Sequence, residues 1–78
     1  MLYDNSLKEA MLDVLHDRVS SIADSVVALA EQGFVPNRNK ITILSWSLML
    51  IDAYENIEVL NNHQQHNLDK IYNKVLKL

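Results

Sequence analysis

Glu31-Gln32-Gly33-Phe34-Val35-Pro36-Asn37 holds the one glycine and the one proline of a 78-residue chain, and its reading decides the fold. Glycine tolerates the left-handed backbone that closes a helix, and proline lacks the N–H needed to continue one, so a helix ends here and a second begins. Gly33 is the expected C′ residue, with Phe34 folding back toward Leu29. Asn37 or Asn39 then supplies the side-chain oxygen that caps the next helix.

Upstream, Ser6-Leu7-Lys8-Glu9 has the form of a capping box, which places the first helix at about residues 6–32. Met11, Leu12, Leu15, Val19, Ile22, Val26, Leu29 and Ala30 recur at three- and four-residue spacing and mark its apolar face. Downstream, the second helix is expected over 38–60, with two apolar stripes. One is Trp46, Leu50, Ala53, Tyr54, Ile57 and Leu60; the other is Ile41, Leu44, Leu48 and Ile51. Asn62 followed by Gln65 suggests the cap of a third helix over 63–77, which buries Leu68, Ile71, Tyr72, Val75 and Leu78 and shows Lys70, Lys74 and Lys77 on the other side. The fold class is therefore all-α. Residues 1–78 read as one domain, a helical hairpin plus a shorter C-terminal helix, with an interior that includes Leu15, Val19, Ile22, Val26, Leu29, Trp46, Leu50, Ile57 and Ile71.

A core of this size supplies only about 3–5 kcal/mol, so small domains lean on disulfides, metals or assembly. The chain has no cysteine, which leaves self-association as the simplest support and fits a reducing compartment. Met1-Leu2-Tyr3-Asp4-Asn5 has no basic flank followed by an apolar run, so the expectation is an intracellular, cytoplasmic protein. The nearly apolar run from Ile41 to Ile51 is shorter than the ~20 residues of a membrane span. Seven Lys and Arg against ten Asp and Glu give a net charge of −3, which disfavours binding to nucleic acid through phosphate contacts.

The motifs that would carry chemistry are sparse. His63, His66 and Asp69 share one side of a helical turn, but the further ligands of known metal sites are missing, so neither a metal nor a cofactor is expected. Ser20, Ser21, Ser25, Ser45 and Ser47 lack a partnered histidine, and no glycine-rich loop exists to hold phosphate. Catalysis is not expected. Glu9, Asp13 and Asp17 stand four apart with no lysine spaced to relieve them, forming either a solvated face or a docking strip for a basic partner.

Helix lengths point to an interface. At 1.5 Å per residue the third helix spans about 20 Å and, running back along the second, reaches only to about residue 48. Ile41, Leu44, Leu48 and Ile51 are then left for another molecule. The function expected is a non-catalytic interaction module that binds itself, as a homo-oligomer, and another protein. The alternative is a small acidic regulator or inhibitor, of the accessory kind carried by phages and mobile elements, that docks Glu9, Asp13 and Asp17 on a basic site of a host protein.

Overall fold

The computed structural model describes residues 5–78. Helix α1 runs Asn5–Glu31, α2 Arg38–Tyr54 and α3 Asn62–Leu76, each packed on both of the others, and the described residues contain no β-strand. The all-α three-helix class read from the sequence is the class observed.

The turn between α1 and α2 forms as its residues require. Gly33 has φ +92°, the Phe34 N–H donates to the Leu29 carbonyl at 3.1 Å, and the Gly33 N–H donates to Ala30 at 3.0 Å. Those two bonds are the Schellman pair that satisfies the last carbonyls of α1. Asn37 is the N-cap of α2, its Oδ1 accepting from the Asn39 N–H at 2.9 Å and the Lys40 N–H at 3.3 Å.

Other boundaries move. Helix α1 already includes Asn5 and Ser6, so Ser6 is not its N-cap, and the cap position falls outside the described residues. The capping box of α3 sits one residue earlier than expected, on Asn61 and Gln64, whose backbone N–H groups and side-chain oxygens bond reciprocally at 2.8 and 2.9 Å. The largest change is in α2, which stops at Tyr54 rather than near residue 60. Past Tyr54 the Ile57 carbonyl leaves the helical path and accepts from the Lys8 ammonium. The chain then extends to bring Leu60 into the core.

That core joins Leu12, Leu15 and Val19 of α1, Leu44, Leu50 and Tyr54 of α2, and Leu68, Ile71 and Val75 of α3 around Leu60. Burial of each such aliphatic side chain contributes about 1.5–3 kcal/mol. Leu29, expected inside, is 49% exposed. The reason is length. Gln65 Nε2 donates to Met11 Sδ at 3.4 Å, so α3 starts beside residue 11, and Lys74 over the Trp46 ring shows that it runs on toward the hairpin turn. Fifteen residues of α3 rise about 22 Å against about 40 Å for the 27 of α1, so the hairpin end of α1 and α2 projects beyond it. The molecule is accordingly elongated, 46 × 18 × 17 Å.

Candidate functional site

The expected interface stripe is divided by the structure. Leu44 is only 6% exposed and belongs to the core, and Ile51 is half-buried against it, whereas Ile41 and Leu48 are exposed. A surface that includes Leu44 is therefore corrected: its side chain is already covered by its own chain. The inward arc of α2 is centred on Ser47, which is fully buried with its Oγ donating to the Ile43 carbonyl at 2.6 Å. At 100° per residue, Ile43, Leu50 and Tyr54 lie within about 60° of Ser47, and Leu44 and Ile51 flank them.

The opposite arc of α2 carries Ile41, Thr42, Ser45, Leu48, Met49 and Asp52, all exposed. Leu48 is 51% and Met49 70% exposed, so two long apolar side chains stand in water on one face. Phe34 and Val35, at the projecting end of the hairpin, are exposed as well. Beside them a recess of about 250 Å³ is lined by Val26, Leu29, Pro36 and Lys40.

The half-buried Trp46 ring of the other stripe meets α3. The Lys70 and Lys74 ammonium groups lie 5.8 and 5.4 Å from its centroid. Two of the lysines assigned to open solvent thus cover an indole, a contact worth about 0.5–1 kcal/mol at an exposed site. Ala53 of the same stripe is exposed.

The acidic strip is regrouped too. Glu9 and Asp13 line a recess of about 400 Å³ with Leu12 and His16 of α1 and Ile51 and Glu55 from the end of α2. Asp17 is exposed and outside it. Glu55 is the acidic member that α1's own spacing gave no means of finding, because it arrives by the antiparallel packing of two helices.

His63 and His66 are both exposed, and the Asp69 carboxylate accepts from Gln65 Nε2 at 2.8 Å. Among the described residues no group of three or more His, Cys, Asp or Glu side chains is placed to hold a metal ion, and no helix is long and apolar enough to cross a membrane. Besides Ser47, two buried polar side chains escaped the reading of the sequence. Lys8 is 2% exposed and Gln65 is buried with its Oε1 unpartnered. Both sit at helical positions where apolar spacing gives no sign of them. Comparison with family models, with curated proteins and with solved structures found no match.

Proposed function

We propose that the protein is a non-catalytic helical interaction module, a self-assembling subunit or small adaptor that works by packing its exposed hairpin surface against protein. The observation that carries this reading is the outward arc of α2, where Leu48 and Met49 remain exposed on a chain whose core is already filled by other residues. Exposed apolar side chains grouped on one face mark contact sites more often than single scattered ones do. Glu9, Asp13, His16 and Glu55 around the α1–α2 recess are all exposed, a setting that suits charge recognition better than proton transfer between groups of contrasting environment. The net charge of −3 supports a protein partner over nucleic acid.

The test is affinity capture from the cells that make the protein, using wild type and the Leu48→Asp/Met49→Asp variant in parallel after both show equal helix content by circular dichroism. Wild type should retain protein, either further copies of the chain or a different one, and the variant should lose it. Equal retention by both removes the reading.

A second reading rests on the grouping of Glu9, Asp13 and Glu55 around one recess, which suits a regulator that docks on a basic site of another protein. It requires binding that weakens with salt and that Asp13→Lys/Glu55→Lys abolishes. Capture that is insensitive to both counts against it.

A further inference from the structure

Arg38, Ser45 and Asp52 are seven residues apart on α2, and all three are exposed. Seven residues is close to two helical turns, so they form one line down the outward arc. Ile41 and Leu48, also seven apart, flank the line on one side, and Thr42 and Met49 flank it on the other. The pattern has a basic end, a small centre and an acidic end. Turned end over end about Ser45, it matches itself.

The charges of α2 give a second, independent reason. Its first turn holds no acidic residue and its last no basic one. Arg38 opens the helix, where the macrodipole is positive, and Asp52 lies near the closing end, where it is negative. Both charges are misplaced for a lone helix. Beside an antiparallel copy both are well placed, because each then stands at the opposite pole of its partner. Among the described residues neither Arg38 nor Asp52 has an ion-pair partner within the chain.

We infer that the occupant of this face is a second copy of the chain, paired antiparallel through α2 on a two-fold axis at Ser45. The inference rests on the interaction-module reading and names its partner. In this arrangement Arg38 faces the partner's Asp52 at both ends, Ile41 lies beside the partner's Leu48, and Thr42 lies beside the partner's Met49. The small Ser45 on the axis lets the helices approach to about 8 Å, the near limit for packed helices. A two-fold contact of this kind closes on itself and stops at a dimer.

Charge reversal is the test, read as the self-dissociation constant by sedimentation equilibrium, with helix content checked by circular dichroism. Arg38→Asp and Asp52→Arg should each weaken the dimer by about tenfold or more, since two attractive pairs become two repulsive ones. An equimolar mixture of the two single variants, and the double variant alone, should restore the charge pairs and recover most of the affinity that the single variants lose. A parallel pairing would leave the single variants unaffected. Because the chain has no cysteine, Ser45→Cys supplies a separate readout: mild oxidation should link it into a dimer, while Ser21→Cys on exposed α1 should stay single. A wild type that remains monomeric, single variants that keep full affinity, or equal cross-linking at both serine positions overturns the inference. Capture of a different protein that Leu48→Asp/Met49→Asp abolishes would still leave the interaction-module reading standing.

Discussion

Lys8 is buried with its ammonium on the Ile57 carbonyl, just past the end of α2, among Glu9, Glu55 and Glu58. A cation near a helix C-terminus is favoured by the dipole, and its aliphatic stem fills apolar space on the way. Lys8→Met keeps most of the stem and removes the hydrogen bond, leaving the carbonyl without its charged donor. It should cost about 1–3 kcal/mol, read as a lower urea midpoint. Gln65 is a different case. Its Nε2 serves Asp69 while its buried Oε1 has no partner, so the residue carries a desolvation penalty along with its bond. Gln65→Leu should therefore fall within about 1 kcal/mol of wild type or exceed it, whereas Gln65→Glu, which sets a buried carboxylate beside Asp69, should be the less stable of the two. Melting curves of the two variants that rank in the reverse order would contradict this account of the site.

At the scale of elements, local chemistry settles the ends where it is strong. Gly33 at φ +92° has open space around the position of an added Cβ, so Gly33→Ala meets no clash and should cost only the backbone strain, about 1 kcal/mol in chemical denaturation. A loss several times larger would mean that the turn makes contacts not seen here. The same strength of signal made the α1–α2 turn, the Asn37 cap and the three-helix class legible in the sequence. Leu15, Val19, Leu50 and Ile71 were legible as interior for a similar reason, since each repeats at helical spacing on one face. The end of α2 was not legible, because no glycine or proline marks it and a lysine 49 residues away holds the carbonyl that leaves the helix. The acidic recess and the outward arc of α2 were read only in part. Which arc of α2 turns inward depends on where α1 and α3 lie, and the polar Ser47 at its centre hid that arc from a search for apolar spacing. Leu44 was assigned outward for that reason, and Glu55 was missed because it joins Glu9 and Asp13 only through packing.

Across the whole molecule, a short α3 laid against a long hairpin leaves the outer side of α2 exposed. A second copy on that side would add apolar contacts to a core of modest size and place two misaligned charges where the dipoles favour them. Folding is then linked to association, so the melting temperature should rise with protein concentration. Sedimentation equilibrium of the wild-type chain beside Leu48→Asp/Met49→Asp tests the central claim most directly. Wild type should approach twice the 9.0 kDa chain mass as concentration rises, while the variant stays at the single-chain mass with its helix content kept. A wild type that holds the single-chain mass at every concentration, or a variant that assembles as well as wild type, would contradict it.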